Sequence, residues 1–175
     1  MAGAGRAVAR VLGVLTAVVC GALAAGGSGA AEPPGSASGT FTVAKDGYSF
    51  GDAVAFRTTR LNMAPGEQIT VVVLTSDPID RVKVAAAVAA EGNWTASEHK
   101  VRFILRFDAK GKLAWGMFQA GHRNVGLMNL APVSSELSVA GKQAKGRASL
   151  TQPGDFLGEP YTFDVSFQAE VVAGS

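Results

Sequence analysis

From Val101 to Phe107 the chain places Val101, Phe103, Leu105 and Phe107 on alternate positions, with Arg102, Ile104 and Arg106 between them. A period of two sends the two sets to opposite faces of a β-strand, so this stretch reads as a strand with one buried face. The next four residues, Asp108-Ala109-Lys110-Gly111, are turn-forming. With Ala109 and Lys110 in a type I turn and Gly111 in the left-handed bulge position, Asp108 opposes Lys112. Continued regularly, that register pairs Phe107 with Leu113, Leu105 with Trp115 and Phe103 with Met117, all on the apolar face. Each such cross-strand contact contributes roughly 0.2–1 kcal/mol. A slip of one residue would send Trp115 to the other face.

The C-terminal stretch alternates as clearly, with Tyr161, Phe163, Val165, Phe167, Ala169 and Val171 on one side and Thr162, Asp164, Ser166, Gln168 and Glu170 on the other. Residues 40–43 and 48–50 predict a hairpin about Lys45-Asp46-Gly47, with residues 53–59 following. Residues 69–75 contain Val71-Val72-Val73-Leu74, apolar on both faces, as in a central strand covered on both sides. Residues 137–139 and 147–150 complete about eight strands. The expected fold is therefore mainly β, an antiparallel sandwich or barrel.

One helix interrupts the pattern, at about 78–91. Asp77 can cap it, Pro78 suits its first position, Asp80 favours its positive end and Gly92 stops it. Ile79, Val82, Ala86 and Ala89 form the expected buried stripe. Being mostly alanine, it predicts a helix lying close to the sheet or across an open barrel end, as a lid or plug.

Ahead of the domain, Arg6 and Arg10 precede an uncharged apolar run from Val11 to Ala25, and small residues follow at Ser28-Gly29-Ala30-Ala31. These are the three parts of a secretory signal, expected at 1–31 with cleavage after Ala31 or, alternatively, Ala30. The run falls short of the roughly 20 apolar residues that span a bilayer, which disfavours an uncleaved anchor. Cys20, the single cysteine, lies inside the run. Val19 and Ala17 depart from the small residue and leucine that a lipid-anchored cysteine requires one and three positions before it. Residues 32–39 read as a flexible spacer of small residues and proline, and 40–175 as a single β-rich domain. The expected destination is the periplasm or the medium, with no membrane span after cleavage.

Two of the sixteen basic residues of this 175-residue chain lie in the leader; the other fourteen equal the acidic residues in number. They are scattered, whereas nucleic-acid binding requires clustered cations, so that class is not expected. His99 and His122 stand on the two arms of the predicted hairpin, where the regular register opposes His122 to Glu98 and His99 to Gly121. The imidazoles then project from opposite faces, which argues against a shared metal site; an exposed Glu98–His122 ion pair is expected instead, contributing only about 0–1 kcal/mol. There is no Gly-x-Ser-x-Gly, no calcium-loop spacing among Asp77, Asp80, Asp155 and Glu159, and no phosphate-cradling glycine motif. Neither catalytic residues nor a cofactor or metal is expected. His122, Arg123 and Asn124, with Trp94, form the candidate binding patch, since loops on a rigid sheet often carry function.

The stretches Phe107-Asp108-Ala109-Lys110-Gly111-Lys112 and Phe156 to Phe167 resemble a group of signal-peptide-bearing bacterial proteins of unknown function. The resemblance implies export and a β-architecture, and supplies no catalytic residues. The expected function is non-enzymatic binding of an unknown protein or small-molecule ligand. Two alternatives stand beside it: a lipocalin-like carrier enclosing an apolar molecule between Phe103–Phe107 and Tyr161–Phe167, and a hydrolase using His99 or His122.

Overall fold

The computed structural model describes residues 35–59, 66–127 and 133–173. The expected leader, its cleavage site and Cys20 lie outside them. The described chain forms eleven strands and one helix: β1 (Ser36–Val43), β2 (Asp46–Ser49), β3 (Asp52–Thr58), β4 (Ile69–Thr75), α1 (Arg81–Glu91), β5 (Val101–Phe107), β6 (Leu113–Ala120), β7 (Arg123–Leu127), β8 (Val133–Ala140), β9 (Gln143–Leu150), β10 (Gly154–Phe156) and β11 (Glu159–Val172). The fold is mainly β, as the alternation predicts, with eleven strands in place of about eight. Five residues including Asn124 and Gly126 make β7, and three make β10, both too weakly patterned to stand out in the sequence.

The strands join one sheet in the order β7-β6-β5-β4-β3-β1-β11-β9-β8, with β2 on β1 and β10 on β11. Pairing is antiparallel except where Glu170–Val172, at the end of β11, run parallel to Val54–Phe56 of β3. The sheet curls as a half-barrel until β8 approaches β6, where the Leu113 backbone N–H donates to Ser135 Oγ at 3.0 Å. As its doubly apolar sequence requires, β4 is central and wholly buried.

Residues 36–39, expected in the spacer, instead lie in β1 and pair with β11. Small residues suit that pairing: at Gly39, φ is +103° and an added Cβ would fall 2.0 Å from the Asp164 carbonyl oxygen.

The inner face of the curl is filled by aromatic rings. Phe41 is stacked on Phe118 at 4.0 Å between centroids and on Phe163 at 5.8 Å, and meets Phe103 edge-on at 5.2 Å. Phe163, Val165, Phe167 and Ala169 of β11 all face this core, as the last strand's alternation predicts.

The β5–β6 hairpin has its expected turn. Gly111 is left-handed at φ +75°, Asp108 N–H donates to the Lys112 carbonyl at 2.9 Å, and Phe107 opposes Leu113. The register then shifts by one residue at a bulge between Arg106 and Phe107, so Arg106 opposes Trp115, Ile104 opposes Met117 and Phe103 opposes Phe118. The expected Leu105–Trp115 and Phe103–Met117 pairs are not formed. The bulge moves Trp115 and Met117 to the outer face and turns Gly116 and Phe118 inward. The inner space accepts this set and not the other: a Cβ on Gly116 would stand 2.6 Å from Leu127 Cδ1, while Phe118 stacks on Phe41.

The helix lies on the outer face, not across a barrel end. Val84 and Val88 pack with Val54, Phe56, Val71, Val73 and Ile104 in a second core. The cap is Asp80, whose carboxylate accepts from the N–H of Val82 and Lys83; Gly92 ends the helix at φ +67°. The expected stripe is rotated: Val82 is 80% exposed, and Ala86 and Ala89 also face out. Arg81 is the cause, because its guanidinium grips the Asp52 carboxylate on β3. Once residue 81 faces the sheet, 84, 85 and 88 must follow on that side at helical spacing.

Candidate functional site

At the end of the sheet where β5 starts and β6 finishes, an open cleft of about 560 Å³ lies between the approach to β5, residues 97–102, and the Gln119–His122 corner, with Tyr48 contributing from β2. Ahead of β5 the chain makes a tight corner, with Ala96 buried at φ +52° and the His99 N–H donating to its carbonyl at 3.0 Å. This corner presses the His99 ring into the second core, edge-on to Trp94 at 5.8 Å, leaving His99 7% exposed. Its Nδ1 stands 2.7 Å from Asp77 Oδ2. A carboxylate only accepts, so Nδ1 carries the hydrogen of this bond.

Arg102 holds the corner from the strand side. Its Nη1 donates to the carbonyls of Ala96 at 3.0 Å and His99 at 3.2 Å, and its Nη2 donates to Oε1 of the cross-strand residue Gln119 at 2.5 Å. Burial pulls the guanidinium below the ordinary arginine value, opposed only by the charge of Glu98. Glu98 itself pairs with Lys83 of the helix at 2.8 Å, and that hydrogen bond lowers its carboxyl. The expected Glu98–His122 pair is therefore not formed. The bulge has moved the register, and the helix supplies a better cation.

A neighbouring cleft of about 480 Å³ shares His122 and is lined by Val43, Arg123, Asn124, Val125, Phe156, Leu157 and Glu159. Here Arg123 donates to Glu159 at 2.6 Å and to Asp46 at 2.8 Å, tying β7 to the β1–β2 and β10–β11 turns.

Of the four residues singled out in the sequence, His122, Arg123 and Asn124 lie together at this end, His122 exposed between the two clefts. Trp94 does not join them at the surface; its ring is buried behind His99. Sequence reasoning offered His99 only as a hydrolase residue, and missed Arg102, Gln119 and Tyr48 as cleft walls. The one available signal was Arg102, whose neighbour across the hairpin is no acid, being Phe118 in the regular register and Gln119 in the observed one.

Among the described residues no three of His, Cys, Asp and Glu form a metal-binding group, and no helix is long and apolar enough to cross a membrane. No protein-family model, curated protein or solved structure matches the chain.

Proposed function

We propose that the chain is an exported, non-enzymatic binding domain that takes a small ligand in the cleft between residues 97–102 and 119–122. The observation that carries this reading is the convergence of His99, Arg102, Gln119, His122 and Tyr48 on one opening of small-molecule size, backed by a ring-packed core. The same rings weigh against the carrier, since Phe41 occupies the space an apolar cargo would need. Export rests on the leader pattern at 1–31.

The test is native mass spectrometry of protein purified from its own host, with amide chemical shifts mapped before and after removal of any bound molecule. A mature N-terminus at Glu32 or Ala31 supports export, and shifts confined to 97–102 and 119–122 support the site. Shifts confined to the aromatic core would favour the carrier and overturn the surface site.

A hydrolase is the second reading, favoured by the Asp77–His99 hydrogen bond and by Ser97 in the same cleft. There Asp77 would orient the imidazole and Nε2 take the Ser97 proton as the hydroxyl oxygen bonds to an ester's acyl carbon; the imidazolium would return that proton to the leaving alcohol as its C–O bond breaks, and water would then release the acid by the same steps. Turnover of an aryl ester, abolished in both Ser97→Ala and His99→Gln, would establish it; no turnover above the variants removes it.

A further inference from the structure

Among the described residues, the arginines beneath the surface are matched, with one exception. Arg81 is clamped by Asp52, Arg123 by Asp46 and Glu159, and the Arg106 guanidinium carbon lies 4.0 Å from the centre of the Trp115 ring, where the π-face meets its charge. Arg102 has neither. Its three hydrogen bonds go to two backbone carbonyls and a neutral amide, and no carboxylate among the described residues comes within ion-pair distance. A guanidinium carries five N–H donors, so these bonds leave it both charge and donors to spare. Partial burial makes an uncompensated charge costly, and only Glu98, itself held by Lys83, offsets part of that cost.

Lys100 stands exposed on the wall and carries the same sign, and His99 and His122 line the opening beside it. The acids are already engaged: Glu98 is held by Lys83 at 2.8 Å, and Asp77 accepts from His99. A ligand entering here meets two unneutralised cations and the side-chain amide of Gln119.

Resting on the reading of this cleft as a binding site, we propose that its ligand is a small molecule bearing an oxyanion, a carboxylate or a phosphate, with Arg102 and Lys100 as its cationic anchors. A delocalised guanidinium with an Nη2 hydrogen to spare suits both groups, because both present charged oxygens that only accept. Lys100 supplies a mobile second charge.

The experiment is a titration of the isotopically labelled domain, followed by amide shifts at constant ionic strength, with inorganic phosphate, succinate, glucose and putrescine as probes, then a small-molecule extract of the host. Saturable shifts with phosphate or succinate, centred on 97–102 and 119–122 and absent with glucose and putrescine, are expected. Arg102→Gln should weaken that binding at least tenfold. Because Arg102 also holds the Ala96–His99 corner, Lys100→Gln is the folding-neutral check, expected to weaken it a few-fold, while Arg147→Gln on the far strand β9 leaves it unchanged. Anion binding equal in wild type, R102Q and K100Q overturns the proposal, as does the absence of cleft shifts with both anions. Cleft shifts with glucose, putrescine or only a non-anionic component of the extract overturn the anion assignment and keep the binding site. Silence of the cleft toward every probe and the extract overturns both.

Discussion

Asp52 on β3 and Arg81 in the first turn of the helix form a two-pronged pair: Nη1 donates to Oδ2 at 2.6 Å and Nη2 donates to Oδ1. The same carboxylate accepts from the N–H of Ile79 and of Ala53, each at 2.7 Å. One side chain thus fixes the chain's entry to the helix and the helix's rotation. Asp52→Asn keeps the shape and removes the charge, leaving a half-buried guanidinium unpaired. It should cost about 2–4 kcal/mol in denaturant unfolding.

That pair also sets a pH dependence. Burial pushes the Asp52 carboxyl up, but hydrogen bonds from Arg81 and Ile79, the Arg81 charge and the Ala53 N–H outweigh it and hold it below its ordinary 3.8. The stabilisation is therefore complete above pH 3.8 and is lost as pH falls through the lower folded value. Urea midpoints should show wild type losing its advantage over Asp52→Asn below about pH 4. A constant gap down to pH 2 would contradict the assignment.

The bulge beside Phe107 predicts two tryptophans in unlike surroundings, Trp94 buried and Trp115 half-buried under Arg106. Acrylamide quenching should be shallow in Trp115→Phe, where only Trp94 emits, and steep in Trp94→Phe. Had the hairpin kept its regular register, Trp115 would lie inside beside Leu105 and both variants would be protected.

At the centre of the inner core, Phe41 touches Phe103, Phe118, Tyr161 and Phe163 and is fully buried. Phe41→Ala should cost about 3–5 kcal/mol, through lost burial and an unfilled cavity. A cost below about 1 kcal/mol would mean that the rings do not meet as described.

What the sequence discloses follows from how local each cause is. The β4 run, the last strand and the Asp108–Gly111 turn are written in adjacent residues and stand as read. The helix rotation is not, because Asp52 lies 29 residues before Arg81 and nothing in the alanine-rich stretch itself selects a face. The bulge is hidden for the same reason: Trp115 and Phe118 are both plausible core residues, and the choice rests with Phe41 and Leu127 on other strands. These two long-range causes also conceal the cleft, since they determine which arginine lacks a partner and which histidine meets Asp77.

Leu157 and Gly158 are the central residues of the β10–β11 turn, flanked by the pair Phe156 and Glu159, with φ of +56° and +83°. Two positive values in succession define the turn that favours Asn-Gly, because it matches the twist of a hairpin. Glycine suits its place; leucine does not, since left-handed backbone costs an ordinary side chain about 1–2 kcal/mol. Nothing in the fold repays that cost, because Leu157 is 89% exposed. Leu157→Asn should therefore stabilise the chain by about 0.5–1 kcal/mol, read as a melting temperature about 2–4 °C higher. A destabilised variant would mean that the leucine side chain makes a contact in solution that the fold does not show.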